Sequence, residues 1–255
     1  MDNKDLSGRH AAVTGGARGI GAAITDRLLE LGAMVSVMGR DKDALMRKCS
    51  TDKAQPIPID VSDDDAVAAA FDTAEEKFGP VSILINSAGA AESAPLHRTD
   101  NDLWQRMLDV NLTGTFYCMR RCYPAMRAGG WGRIINIASV AGLKGYPYIA
   151  AYCASKHGVI GLTRSVAAEL AGTPVTVNAI CPGYTNTEML ERTLDNIMNK
   201  TGMSREDAEQ SVKAVNPQGR LIEPEEIAAT VAWLCLPGSN SITGQAIAVA
   251  GGEVV

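Results

Sequence analysis

No stretch of this 255-residue chain approaches the roughly 18 uninterrupted apolar residues of a membrane-spanning helix, so no membrane is expected as a partner. The opening residues, MDNKDLSGRHAAV, are polar before they turn apolar. They lack the apolar h-region of a signal peptide, which predicts a cytoplasmic protein. Excess positive charge is also missing: 24 Lys and Arg stand against 29 Asp and Glu, a formal net charge of -5. That balance argues against nucleic acid as the main partner. The six cysteines, at 49, 118, 122, 153, 181 and 235, contain no C-x-x-C pair and no Cys/His ligand spacing. Reduced thiols are expected, not a disulfide framework or a zinc site. Cys118 and Cys122, four apart on an expected helix, read as buried small apolar side chains and not as a reactive pair. His10, His97 and His157 are scattered, and each is expected at the surface or in a structural role.

What is present is an ordinary globular composition, 46% hydrophobic and 21% charged. Short apolar or β-branched runs at 10–14, 34–38, 55–59, 81–86, 133–139, 175–180 and 245–249 alternate with helical periodicity at 19–31, 41–49, 63–78, 100–127, 151–171 and 224–236. Near-continuous apolar strands separated by helices indicate a parallel sheet covered on both faces. About seven of them point to an α/β fold, a Rossmann-like doubly wound sheet and not an eight-stranded barrel. No repeat, low-complexity tract or linker divides the chain, so residues 1–255 are expected to form one domain. The segment 187–219 breaks the alternation with a polar, Met-rich insertion, expected to be a lid or substrate loop.

The first run leads into Thr14-Gly15-Gly16-Ala17-Arg18-Gly19-Ile20-Gly21, where a helix begins. Glycines there let backbone approach a pyrophosphate, and the helix N-terminus offers free N–H groups and positive potential. A glycine-rich turn alone is weak evidence, but its place between first strand and first helix gives it weight. The second run ends Val37-Met38-Gly39-Arg40, with glycine where an acid would bind the adenosine ribose and repel a 2′-phosphate. Arg18 and Arg40 together suit a charge-assisted grip on that phosphate. NADP(H) is therefore expected ahead of NAD(H), with Asp41 as the one countervailing carboxylate.

Tyr152-Cys153-Ala154-Ser155-Lys156 puts tyrosine and lysine at i and i+4, on one face of a helix. A phenol with an ordinary pKa of about 10 is a poor acid–base catalyst, and a nearby ammonium is expected to pull it down. Ser139, at the end of a strand, is placed to hold a substrate oxygen. Taken alone, Tyr-x-x-x-Lys is equally a lysine snorkelling beside a half-buried ring.

With the glycine loop and the serine, the chain resembles the short-chain dehydrogenase/reductase family over essentially its whole length. The marks are residues 14–21, Asp60-Val61, Asn86-Ser87-Ala88-Gly89, Asn111, Ser139, Tyr152 with Lys156, and Pro182-Gly183. The resemblance implies that Tyr152 is the proton donor or acceptor and that Ser139 positions the carbonyl oxygen. Lys156 would bind the nicotinamide ribose and lower the tyrosine pKa, and Asn111 would anchor a water leading to solvent. Gly15, Ala17, Arg18, Gly19, Ile20 and Gly21 would cradle the pyrophosphate, and Gly39 and Arg40 would meet the adenosine ribose. Asp60 and Val61 would meet the adenine, with Asn86, Ala88 and Gly89 beneath the adenosine half. Pro182, Gly183, Thr185 and Thr187 would lie along the nicotinamide. No metal is implied. Two residues depart from the usual pattern: Ser87 replaces a second asparagine, and Thr185 replaces the usual Ile or Val after Pro-Gly.

Within the family, residues 133–220 look most like the 3-oxoacyl thioester reductases of fatty-acid and polyketide synthesis. This likeness rests on Ile137-Ala138-Ser139, residues 152–158, Asn178-Ala179-Ile180-Cys181-Pro182-Gly183-Tyr184, and the loop leading to Gly219-Arg220. The implied reaction passes a hydride between NADP(H) and a carbonyl or secondary alcohol, with a carrier-protein or coenzyme A thioester as substrate. Sugar-alcohol, steroid and ketone dehydrogenases share most of these features and stay open. A non-catalytic NADP-binding sensor or scaffold is the alternative of another class; such proteins usually lose Tyr, Lys or Ser, and all survive here. The resemblance also implies a homotetramer paired through 100–127 and 151–171, with Ala250-Gly251-Gly252 adding to a second interface.

Overall fold

Along the run His10–Thr14, Ala11 and Val13 pack into one buried cluster and Ala12 into another. Successive strand side chains point to opposite faces, so a run that is apolar throughout is a strand covered on both sides. The computed structural model describes residues 5–254. Seven strands form one sheet: β1 (His10–Thr14), β2 (Met34–Gly39), β3 (Ala54–Pro58), β4 (Ile83–Asn86), β5 (Gly132–Ile137), β6 (Val175–Pro182) and β7 (Ala246–Val249). Every pairing is parallel, in the order β3-β2-β1-β4-β5-β6-β7.

The helices are α1 (Gly19–Glu30), α2 (Lys42–Lys48), α3 (Asp64–Phe78), α4 (Asn101–Leu108), α5 (Gly114–Ala128), α6 (Ala150–Glu169), α7 (Glu188–Thr201), α8 (Arg205–Lys213) and α9 (Pro224–Cys235). On one face Ile24 and Leu28 of α1, Leu45 of α2 and Val231 of α9 pack on Val13, Val35, Ile85 and Ile135. On the other, Phe71 of α3, Cys118 and Cys122 of α5 and Ala167 of α6 cover Ala12, Leu84, Ile134 and Val177. Each fully buried side chain of this size contributes about 1.5–3 kcal/mol. Local signals start and stop the helices. Asp63 accepts from the Asp65 and Ala66 N–H groups before α3, and Glu223 and Glu226 form a capping box around Pro224 at the start of α9. Glycines at φ 74 and 73, Gly79 and Gly202, follow α3 and α7.

Three of the differences from the sequence expectation bear on the site. The single helix expected at 100–127 is α4 and α5, joined by a wider π turn at Asp109–Thr113 that carries Asn111 inward. Strand β5 ends at Ile137, so Ser139 lies beyond it and caps a short 3-10 turn at Val140–Gly142. Strand β6 runs on to Pro182. The insertion 187–219 contains α7 and α8, which share a small core of Leu190, Leu194, Ala208 and Val212.

β1 and β4 are neighbours although β2 and β3 intervene in sequence. The chain therefore winds outward in both directions from this pair. Such a switch point leaves a crevice at the carboxyl ends of the strands.

Candidate active site

The crevice is a cleft of about 850 Å³. Its first wall is the turn after β1. Gly15 stands at φ 66, and a Cβ there would lie 3.0 Å from the Ala88 backbone; a Cβ on Gly21 would meet the Gly15 carbonyl oxygen at 2.2 Å. Only glycine allows the β1 turn, the β4 loop and the first turn of α1 to come this close. Thr14 ties the two loops together, its Oγ1 accepting from the Ser87 and Ala88 N–H groups at 3.1 Å each. Arg18 precedes α1 without a side-chain cap, so the first N–H groups of the helix are left for an anion.

Gly15, Ala17, Arg18, Gly19, Ile20 and Gly21 line this end of the cleft, followed by Gly39, Arg40, Asp60, Val61, Ala88 and Gly89. Asn111, Ser139, Tyr152, Lys156, Pro182, Gly183, Thr185 and Thr187 line the other end. Asn86 is the exception and corrects the expectation that it forms the floor with Gly89. It is buried beneath the loop, with Nδ2 donating to Asn136 Oδ1 at 2.8 Å and its own Oδ1 without a partner. Beside the adenosine end, Arg18 is paired with Asp41 and, at 3.1 Å, with Glu188. Asp41 also accepts from the Ala44 N–H at 2.9 Å, and that bond, ahead of the Arg18 charge, holds its carboxyl below the usual range. The Asp41 carboxylate is therefore spent on α2 and Arg18. The Asp60 carboxyl is held low chiefly by the Ser62 hydroxyl, with Arg40 contributing. The glycine cradle, the open helix end and the two arginines fit a phosphorylated dinucleotide.

At the reacting end, α6 carries Tyr152 and Lys156 one turn apart. Lys156 Nζ donates to the Ile137 carbonyl oxygen at 2.9 Å, and burial pushes the ammonium down to about 8. Burial pushes the Tyr152 phenol up, with the Ser139 hydroxyl beside it working the other way. The phenol is thus raised, not lowered as expected: desolvation leads, and the Lys156 ammonium, aimed at the Ile137 carbonyl, is not among the groups that move it. Ser139 Oγ accepts from the Ala141 N–H at 3.1 Å, which fixes its direction. Asn111 accepts from the Ala90 N–H and donates to the Ala90 carbonyl, both at 2.9 Å, and also donates to Ser155 Oγ at 3.1 Å. Its carboxamide therefore fastens the loop after β4 to α6. A Cβ on Gly89 would sit 3.1 Å from Asn111 Oδ1 and 3.7 Å from Lys156 Nζ. Thr185 Oγ1 donates to the Gly183 carbonyl at 3.0 Å, and Thr187 Oγ1 to that of Thr185 at 3.3 Å.

Two further groups of residues line the cleft, the first not expected from the sequence and the second within the segment 187–219 expected to meet substrate. Tyr146 donates its hydroxyl to Glu253 Oε1, and Lys144 Nζ donates to the Glu253 backbone oxygen at 3.1 Å, drawing the C-terminal tail into the wall. Burial first, then the carboxylate, pushes the Tyr146 phenol up. Nothing near Glu253 in sequence signals this contact. The second group, Met189, Arg192, Thr193, Asn196 and Lys200, comes from α7, and its spacing of three and four was a usable signal. The remaining polar candidates are structural, as expected. His10 Nδ1 is 2.7 Å from the Gly79 oxygen and Nε2 2.8 Å from Ser36 Oγ, and burial pushes Cys118 up to about 12.

A sequence model of the short chain dehydrogenase family matches residues 9–197. Among curated proteins, an acetoacetyl-CoA reductase of Rhizobium meliloti is 37% identical, over 96% of this chain and 98% of its own. A cis-4-hydroxycyclohexanecarboxylate dehydrogenase of Sinomonas cyclohexanicum is also 37% identical, over 96% of both chains. Among solved structures, a variant of actinorhodin polyketide ketoreductase with NADPH superposes with a TM-score of 0.93, at 36% identity and 99% coverage of each chain.

Proposed function

Because the chain belongs to the short chain dehydrogenase family, we propose that it is an NADP(H)-dependent reductase of 3-oxoacyl thioesters. The observation that carries the reading is the convergence of Ser139, Tyr152 and Lys156 in one cleft with the glycine loop. The nucleotide, when bound, supplies the hydride that reaches the carbonyl carbon. Tyr152, kept protonated by burial, gives its proton to the carbonyl oxygen, which suits it to the reductive direction. Ser139 donates its hydroxyl to the same oxygen. Lys156 holds the ribose and replenishes the proton. Asn111 on the π turn would anchor a water linking Lys156 to solvent. Arg18 and Arg40 hold the 2′-phosphate, and the NADPH-bound ketoreductase of the same fold supports that choice.

Equal identity to a 3-oxo thioester reductase and a cyclic hydroxy-acid dehydrogenase means that similarity alone does not choose the substrate. The continuation of the cleft past Tyr152 along α7, lined by Met189, Arg192, Thr193, Asn196 and Lys200, favours the extended thioester. The test is NADPH consumption with acetoacetyl-CoA set against oxidation of cis-4-hydroxycyclohexanecarboxylate; faster turnover of the latter would replace the substrate assigned here. We also propose a homotetramer joined through α4, α5 and α6, supported by the exposed rings of Trp104 and Phe116 on α4 and α5. Light scattering showing a monomer would remove it. A cytoplasmic setting is supported by six unpaired cysteines. No helix among the described residues is long and apolar enough to cross a membrane.

A further inference from the structure

Helix α7 begins at the reacting end, since Thr187 before it lines the cleft with Pro182 and Gly183. It then runs outward at about 1.5 Å per residue, which places Lys200 roughly 16 Å along the axis from Met189. Its faces differ. Leu194 is buried against Ala208 and Val212 of α8. Met189, Arg192, Thr193, Asn196 and Lys200, three and four apart, line the cleft. An apolar side chain therefore stands nearest the reacting end, Arg192 with the Thr193 hydroxyl and the Asn196 carboxamide follow, and Lys200 closes the strip at its outer end.

The two cations carry charge that the protein leaves unspent. Arg192 is 74% exposed, and its nearest carboxylate is Glu188 at 3.8 Å. Glu188 is already drawn to Arg18 at 3.1 Å. Lys200 Nζ donates only to Ser93, to its carbonyl at 3.2 Å and its Oγ at 3.3 Å, on the opposite wall. The carboxylate nearest in sequence on that wall, Glu92, is paired with Arg106. Asn196 Nδ2 also donates to Ser93 Oγ, at 2.8 Å. At the mouth of the cleft Arg192 and Lys200 thus face open space, with Glu188, Glu191 and Glu92 drawn to Arg18, Arg205 and Arg106.

We propose that this face of α7 binds the phosphorylated pantetheine arm of the substrate, with Arg192 and Lys200 taking its phosphate and Thr193 and Asn196 its amides. The inference rests on the thioester reading above and names the part of the substrate that α7 recognises. Coenzyme A and a carrier protein present the same phosphate at the same distance from the thioester. Each charge-assisted contact is worth about tenfold or more in affinity where it is desolvated, and less at an exposed rim.

The experiment compares kcat/KM for three acetoacetyl thioesters: of coenzyme A, of phosphopantetheine on a carrier protein, and of pantetheine without phosphate. In the wild type at low salt, at least one phosphorylated substrate is expected to exceed the unphosphorylated one by about tenfold or more. Whichever does so identifies the source. In the Arg192→Ala/Lys200→Ala variant that ratio is expected to fall toward one, through KM. Arg192→Gln/Lys200→Gln, which keeps a polar side chain without the charge, is expected to do the same, and NADPH binding checks the fold. A wild-type ratio near one, or a ratio that survives in both variants of an active enzyme, overturns the assignment and leaves the thioester reading standing. No turnover of any of the three by the wild type overturns both.

Discussion

Lys156 holds its Nζ 5.7 Å from the centre of the Tyr152 ring, while donating to the Ile137 carbonyl at 2.9 Å. They are neighbours on one face of α6, Lys156 buried and Tyr152 half-buried in the cleft wall, and desolvation moves each toward its neutral form. Without nucleotide the pair is therefore poised as a protonated phenol beside an ammonium that gives up its proton unusually easily.

That poise has a signature in stability. Burial lowers Lys156 from 10.5 to about 8, so below about pH 8 both folded and unfolded states carry the proton and the folded state bears the whole cost. Between the two values the unfolded chain binds more protons, so this group's contribution to stability improves as pH rises. The scale is about 3 kcal/mol at 1.36 kcal/mol per unit. Lys156→Met removes the ammonium and keeps the bulk. Denaturant unfolding of the nucleotide-free protein is expected to show the variant gaining most over wild type near pH 7 and least near pH 10. A gain that stays constant across that range would mean that Lys156 is not desolvated as described.

The chemistry itself depends on the phenol. Tyr152→Phe keeps the ring in its half-buried seat and deletes the proton. Turnover is expected to fall at least ~10²-fold, with NADPH affinity near wild type by fluorescence titration. Substantial activity in the folded variant would remove Tyr152 as the proton donor.

Nucleotide choice should follow the arginines. Arg40 faces the cleft, and Arg18 is held beside it by Asp41. Arg40→Ala is expected to weaken NADPH far more than NADH, by roughly tenfold or more for one charged hydrogen bond. Steady-state kinetics with both nucleotides decide it. A wild-type preference for NADH would show that Asp41 leaves its cap on α2 to bind the ribose.

What was legible in the sequence was local. Gly15 and Gly21 show themselves by their place between a strand and a helix, and Tyr152 and Lys156 by one helical turn. The seven apolar runs announce the parallel sheet because burial on both faces leaves no room for polar alternation. What was illegible depends on partners far away in the chain. Glu253 reaches Tyr146 across 107 residues, and Asn196 reaches Ser93 across 103. The π turn at Asn111 is hidden because helical periodicity continues on both sides of it. Asn86 carries the motif's polar side chain, but its nearest donor-hungry neighbour is Asn136, beneath the loop. The direction of the Tyr152 shift is hidden for the same reason: the lysine is visible at i+4, whereas the desolvation that raises the phenol is tertiary.

The segment 187–219 is expected to close over substrate as a unit. Helices α7 and α8 have a core of their own, Leu190, Leu194, Ala208 and Val212, distinct from the clusters that pack on the sheet. An ion pair between Arg205 and Glu191 at 2.6 Å ties them further. Their attachments across the cleft are polar and few: Asn196 and Lys200 to Ser93, and Glu188 to Arg18. Such contacts exchange readily with water, whereas the shared core does not. The two helices should therefore keep their packing while the pair swings, with Gly219 at φ 67 beyond its far end as a pivot. Bound nucleotide and a 3-oxoacyl thioester analogue would add contacts to the α7 face and Arg18, and exclude water from hydride transfer. Hydrogen exchange should then show the amides of α7 and α8 gaining protection together, and only when both ligands are present. Strong protection across 188–215 without ligand would make the pair a fixed part of the fold. Protection gained by α7 alone would show that the two helices do not move as one body.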